Sequence, residues 1–248
     1  MLAKKIIKES FSRSAVHYDK HAVLQREMAE KLFRLVKEQK YQRILDIGCG
    51  TGYLTAKMAK FFPQAEIVGL DLAPGMIEVA KEKYAFKNLE FMLGDGEDLP
   101  FPNHYFDLVV SNASLQWMNL KKVGSEVKRV LVLGGDFIFS TFGSKTLWEL
   151  KSVGFRVNDF NSLSDLFRDL MEFEILQAQL ELVNKQFKTV KEIVYYLKEI
   201  GADISSGNSK FGFDPFSGIK NYREKYGARA TFEIIYLCAS RRKSHPTP

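Results

Sequence analysis

Cysteine and histidine are scarce in this chain, with two of the first and four of the second among 248 residues. Cys49 and Cys238 stand far apart, with no CxxC pair and no histidine cluster, so neither a disulfide framework nor a metal site is expected. No apolar stretch approaches the roughly 20 residues of a membrane-spanning helix. Positions 1–9 carry Lys4, Lys5 and Lys8 but lack the apolar core of a secretory signal. Internal repeats, low-complexity tracts and the basic-aromatic motifs of nucleic-acid modules are also missing. These absences lead to the expectation of a cytoplasmic monomer with neither a membrane nor a nucleic-acid partner.

Of the residues that are present, 46% are hydrophobic and 27% charged, with a mean hydropathy of -0.18. That is a globular composition, and the length suits one α/β domain with a modest accessory element. The formal charge of +6 has two readings. It belongs to solvated Lys/Glu-rich helix faces, or it forms a basic surface that meets an acidic partner.

The stretch 43–52, R-I-L-D-I-G-C-G-T-G, organises the rest. Ile44, Leu45 and Ile47 make an apolar run short enough for one buried parallel strand. Gly48, Gly50 and Gly52 follow at spacing two, and 53–62 reads as a helix with Leu54, Met58, Ala59 and Phe62 on one side. Strand, glycine turn and helix open a nucleotide-type α/β unit. The glycines let the backbone turn sharply and let a ligand approach with no Cβ in the way. The dinucleotide fingerprint G-x-G-x-x-G is not met, because the third glycine comes one residue early. Asp46, at the entrance of the turn, would repel a pyrophosphate and suits a ligand with a cationic end.

The segment 66–71 (E-I-V-G-L-D) is a second strand ending in Asp71. That carboxylate is placed to accept both hydroxyls of a ribose, to cap the helix that Pro74 opens through Lys83, or to do both. A third strand over 89–93 leads into G-D-G-E-D-L-P-F (94–101). A fourth over 105–112 ends in Ser111 and Asn112, followed by A-S-L-Q-W (113–117). Ligands of open α/β sheets sit beyond such carboxyl ends. The pattern then predicts an amphipathic helix over 120–133 closed by Gly134-Gly135 and a fifth strand over 136–142. Helical segments around a loop over 144–170, a sixth strand over 173–187 and a helix over 189–200 follow. A Gly/Ser/Asn loop, a helix over 217–226 and a last β run over 231–239 complete the pattern. Ahead of the first strand, 1–37 reads as helical. Leu24, Met28, Leu32 and Leu35 are expected on the core; Phe11, Ala15 and Tyr18 belong either to the core or to a lid.

At the glycine turn the sequence resembles the class I methyltransferases that use S-adenosylmethionine (SAM), whose amino group and sulfonium supply a cationic end. The 94–101 turn resembles the segment of those enzymes that receives adenine, which implies Asp95 as acceptor of the N6 amino group and Gly96 as the point of close backbone access. Longer segments narrow the likeness. F-S-R-S-A-V-H-Y-D-K-H-A (11–22), S-N-A-S-L-Q-W (111–117), L-W-E-L (147–150), L-K-E-I-G-A (197–202) and T-F-E (231–233) resemble the malonyl-[acyl-carrier protein] O-methyltransferases of biotin synthesis. Departures are modest: Asp95-Gly96 replaces the commoner Asp-Ala or Asp-Ile, and Phe232 stands where Tyr is frequent.

The resemblance implies a Rossmann-like fold: a seven-stranded, mostly parallel sheet with helices on both faces and an antiparallel last strand. It implies one domain over 1–240, with a helical lid (1–37), a SAM-binding core (43–142), a helical insertion before the last strand (188–226) and a flexible tail (241–248). SAM is implied as co-substrate. Tyr18, Asp46, Gly48, Cys49, Gly50 and Gly52 are its expected contacts on one side, and Asp71, Leu72, Met76, Asp95, Gly96 and Ser111 on the other.

The implied reaction is methyl transfer to the free carboxylate of a malonyl thioester on acyl-carrier protein, giving the ester that primes pimeloyl synthesis. A carboxylate is already ionised at neutral pH, so no general base is expected and catalysis rests on positioning. Gln116 and Trp117 are the candidates for the acceptor wall. An arginine would clamp the acceptor carboxylate, and Arg13, Arg156 and Arg229 all remain open for that role. The acidic carrier protein gives the net charge a partner. An alternative acceptor, another dicarboxylic acid or a quinone precursor, would keep every SAM residue.

Overall fold

In the computed structural model, which describes residues 2–155, 157–200 and 215–242, the apolar run before the glycines forms β1 (Arg43–Ile47) at the centre of a sheet. Alternation along the strand sends Ile44 and Asp46 to one face and Leu45 and Ile47 to the other. The elements α3 (Tyr53–Phe61), β2 (Glu66–Asp71), α4 (Pro74–Lys83) and β3 (Leu89–Leu93) follow, and β2 and β3 extend the sheet outward in parallel. On the other flank β4 (Phe106–Asn112) pairs with β1, and β5 (Leu131–Phe142) pairs with β4, again in parallel. β7 (Arg229–Arg241) then inserts antiparallel between β5 and β6 (Phe173–Gln186). The order is β3-β2-β1-β4-β5-β7-β6, so the chain reverses its direction of travel between β1 and β4. That switch point puts a crevice at their carboxyl ends.

Helices cover both faces. On one lie α2 (Val23–Leu35), α3, α8 (Val190–Glu199) and α9 (Pro215–Tyr226), packed through residues such as Met28, Met58, Ile193 and Tyr222. On the other lie α5 (Leu120–Val130) and α7 (Leu163–Asp169), packed through Val123, Val127 and Leu166. Fully buried Phe106, Phe137 and Phe139 anchor the second layer, each contributing roughly 1.5–3 kcal/mol by burial. A short helix, α6 (Trp148–Ser152), follows β5. At the amino ends of the strands, buried Asp136 accepts from Lys37 at 3.0 Å and from Tyr41 at 3.0 Å, so its charge is satisfied and the segment after α2 is tied to β5.

Two boundaries differ from the sequence reading. The helix expected over 120–133 stops at Val130, and Gly134-Gly135 does not cap it. Val130 and Leu131 are fully buried, and Leu131 pairs with Phe106 while Asp136 pairs with Leu108. The extra residues form a bulge in β5, where Gly134 takes a positive φ of 77°. The last strand is longer than expected because β6 pairs with it along its whole length. Ahead of the sheet, the helical reading of 1–37 resolves into α1 (Leu2–His21) and α2, broken at Ala22. The loop expected after 201 lies largely outside the described residues, as does the tail beyond Arg242.

Candidate active site

The glycine turn is shaped from below and above. Gly48 and Cys49 donate to the Leu70 carbonyl at 2.7 and 3.0 Å, and Gly50 donates to Asp71 Oδ2 at 2.9 Å. The other oxygen of Asp71 accepts the Ala73 N–H at 2.8 Å, at the start of α4. Burial nevertheless raises the Asp71 carboxyl above its usual range, against the pull of those N–H donors. Gly48, Gly50 and Gly52 all have positive φ, but for different reasons. A Cβ on Gly48 would lie 2.4 Å from that of Ser114, and one on Gly52 would strike the Phe91 ring. A Cβ on Gly50 would meet nothing within 4 Å, because Gly50 faces open space.

That space has three parts, and Tyr18 of α1 borders all of them. The inner recess, about 470 Å³, is lined by Asp46, Gly48, Cys49 and Gly50. Asp46 Oδ2 accepts from the Thr55 hydroxyl at 2.6 Å, whereas Oδ1 is buried with no partner. Burial pushes this carboxyl up to about 7, Thr55 opposing and Asp71 adding to the shift. Gln25 of α2 borders the same recess, and its Oε1 is likewise buried and unpartnered. Two orphaned acceptors on one recess fit a ligand group with several N–H donors, as an ammonium has.

The second part is a long chamber of about 660 Å³, bordered by Asp71, Leu72, Met76, Asp95 and Gly96. α1 roofs it. Lys4 reaches Asp95 Oδ2 at 2.6 Å and Glu97 Oε2 at 2.9 Å, while Asp19 takes the Thr51 hydroxyl at 2.6 Å and pairs with Lys83. Between these ties α1 lies so close to α4 that a Cβ on Gly75 would sit 2.6 Å from the Ser12 carbonyl oxygen.

The third part is an apolar chamber of about 580 Å³, with Phe11, Trp117, Phe142, Phe160 and Phe232 among its walls. Phe11 meets the edge of Trp117 at 5.5 Å, and Trp117 borders the long chamber as well. Ala113 and Leu147 also line it, both in the left-handed region with φ of 50° and 56°. Backbone strain of this kind persists where surrounding packing imposes it. The Tyr18 hydroxyl is buried, which pushes its pKa well up and keeps it a donor.

Ten of the twelve expected cofactor contacts border the inner recess or the long chamber. Gly52 and Ser111 do not. Gly52 packs under Phe91, and Ser111 is fully buried, donating to the Ile47 carbonyl at 2.8 Å and bonded to Ser114 at 2.6 Å. Gly96 borders the chamber, yet its lack of a Cβ serves packing on Ile47 and Met118. Gln116 lines the apolar chamber with its amide tied at both ends, Nε2 to the Ala113 carbonyl and Oε1 from Thr141. Arg13 and Arg229 are exposed and border none of the three parts, because the burial pattern turns both outward. Arg156 lies outside the described residues. Sequence reasoning missed Gln25, Arg26 and Lys4, whereas Ser114, in the 113–117 run expected beyond the fourth strand, borders the long chamber. Arg26 borders the inner recess, with its guanidinium 5.2 Å from the Tyr53 ring centre. A glutamine beside the apolar stripe of α2 was the one visible signal.

A switch-point crevice with a glycine turn, strand-end carboxylates and a cation-seeking recess defines a class I SAM-dependent methyltransferase. A family profile described as "Methyltransferase domain" matches residues 45–139. The YcgJ protein of Bacillus subtilis superposes with a TM-score of 0.67 at 19% identity, covering 88% of this chain and 100% of that one. Malonyl-[acyl-carrier protein] O-methyltransferase 1 of Ilyobacter polytropus is 34% identical, over 96% of this chain and 94% of the relative. The corresponding protein of Acetivibrio thermocellus is also 34% identical, over 98% of this chain and 95% of the relative. The chain belongs to the malonyl-[acyl-carrier protein] O-methyltransferase family.

Proposed function

We propose that the protein transfers the methyl group of SAM to the free carboxylate of a malonyl thioester on acyl-carrier protein, forming the methyl ester used in biotin synthesis. The observation that carries this reading is the meeting of the cation-seeking recess, the long chamber and the apolar chamber at Tyr18. SAM when bound supplies an electrophilic methyl group on a sulfonium. On this reading Asp46 and Gln25 accept from its ammonium, Asp71 from the ribose and Asp95 from the adenine amino group.

The acceptor side needs no proton removed, since a carboxylate is ionised at neutral pH. Among the described residues that border the apolar chamber there is no cation. Of the described groups there, the protonated Tyr18 hydroxyl is a donor for the acceptor carboxylate, and Arg156, next to the wall residue Val157, stays the arginine open for that role. Weakly solvated and oriented, the carboxylate keeps its nucleophilicity, and correct orientation can contribute up to about 7–11 kcal/mol. Phe11 and Trp117 keep water from the junction. The protein acts as a monomer, without membrane or nucleic-acid partner.

The test is methyl transfer from labelled SAM to purified malonyl-carrier protein. A labelled ester on the carrier is the expected product; no label on the carrier overturns the reading. The aromatic walls of the apolar chamber favour a second reading, a ring compound such as a quinone precursor, and the same assay with that acceptor decides between them.

A further inference from the structure

Helices α1 and α8 pack together, with His21 edge-on to Tyr195 at 5.8 Å and its Nε2 3.6 Å from Glu199. Their inner faces border the apolar chamber through Phe11 and Tyr18 of α1 and Leu197 of α8. Their outer faces carry one pattern twice. On α1, Arg13, Val16, His17 and Lys20 recur at helical spacing and all are exposed. On α8, Lys191, Val194, Tyr195 and Lys198 repeat that order of cation, valine, ring and cation, also exposed. Val16 is 73% exposed and Tyr195 55%, so apolar side chains stand in water between charged ends. Neither stripe contains an acid. Of the nearby acids, Asp19 holds Lys83 and Thr51 and Glu199 faces His21, while exposed Glu192, beside Lys191, accepts the Lys188 backbone N–H.

We propose that this two-helix face is the docking surface for the acidic carrier protein, which sits there and sends its thioester arm into the chamber behind the same two helices. This deepens the acceptor reading above and rests on it. Apolar residues at the centre with charged residues at the rim are the usual anatomy of a protein interface. Four cations and no acid on the two stripes select an acidic occupant. Exposed Arg13, which borders none of the three chambers, stands on this surface.

The test compares wild type with Lys20→Glu/Lys198→Glu and with Val16→Ser/Tyr195→Ser. Toward malonyl-carrier protein, kcat/KM should fall about tenfold in each variant through slower or weaker association, while kcat at saturation holds. Toward malonyl-CoA it should stay within about twofold, and added salt should depress the carrier reaction more in wild type than in the charge-reversed variant. Thermal melting and SAM titration verify that both variants fold. Holo carrier protein without a malonyl group, titrated by fluorescence anisotropy, gives a readout that needs no turnover and should weaken by the same factor. Unchanged carrier kinetics and binding in both variants would overturn the docking surface and leave the acceptor reading standing. Carrier binding that depends on Lys20 and Lys198 without methylation of any malonyl thioester would support the surface and sink the acceptor reading. If wild type instead binds phosphatidylglycerol vesicles through these lysines, with carrier binding unaltered, the face serves a membrane and the proposal falls.

Discussion

Asp46 and Asp71 end neighbouring strands, yet their surroundings divide them. Asp71 spends both oxygens on backbone N–H groups that shape the glycine turn and start α4. Asp71→Ala should therefore lower thermal stability as well as SAM affinity, each orphaned donor costing about 1–3 kcal/mol. Asp46 keeps one oxygen free, and burial pushes its carboxyl up to about 7. With the folded value above the unfolded one, the folded protein retains a proton that the unfolded chain has released. Stability without ligand is thus full below the unfolded value, falls as pH rises toward 7, and then levels. An ammonium at the free oxygen reverses the preference, so SAM should bind more tightly as pH rises toward about 7, by at most tenfold per pH unit. Calorimetry across that window should find the Asp46→Asn variant weak and almost flat, with a higher melting point than wild type above neutral pH. The glycines give a second contrast. Gly48→Ala, with its Cβ driven into Ser114, should melt well below wild type. Gly50→Val, in a left-handed position costing roughly 1–2 kcal/mol or somewhat more, should still fold but lose SAM binding, because its side chain enters the chamber. Normal SAM affinity in folded Gly50→Val would remove that chamber from the cofactor site.

At the scale of elements, α1 is the piece whose role the chain pattern left undecided. Its stripe of Phe11, Ala15 and Tyr18 was compatible with core or lid, and the structure lays it across the long chamber, tied at both ends. Lys4 is about one-third exposed and so is Asp95, so solvent screens the pair and it contributes at most about 1 kcal/mol to stability. Lys4→Ala should leave the melting point almost unchanged and raise the SAM dissociation rate a few-fold, as stopped-flow fluorescence of Trp117 can report; an unchanged rate would show that the tie does not hold the roof. Strands and helices from 43 to 112 were legible because each is short, bounded by Gly, Pro or a charged end, and regular in period. The end of α5 was not, since a Gly-Gly pair reads as a helix cap, while the burial of Val130 and Leu131 draws the chain into the sheet and makes the pair a bulge.

For the whole molecule, the open edge of β6 exposes Leu176, Leu180 and Leu182, and any self-association would have that edge to use. Sedimentation velocity should nevertheless find a single species of 28.4 kDa; a species of twice that mass would refute the monomer. The sequence alone determined the α/β class, the glycine turn and the acidic residues beside the strand ends, because these depend on local period and on which residue follows a strand. Even the family was readable from segments spread over most of the length. Only the tertiary structure decided that Gln25 shares the recess with Asp46, that Ser111 turns into the core while Ser114 borders the long chamber, and that Arg13 and Arg229 face solvent. The physical reason is that these outcomes depend on how α1, α2 and α8 dock over the carboxyl ends of the strands. Such docking is set by side-chain packing between segments far apart in the chain, and no local spacing records it.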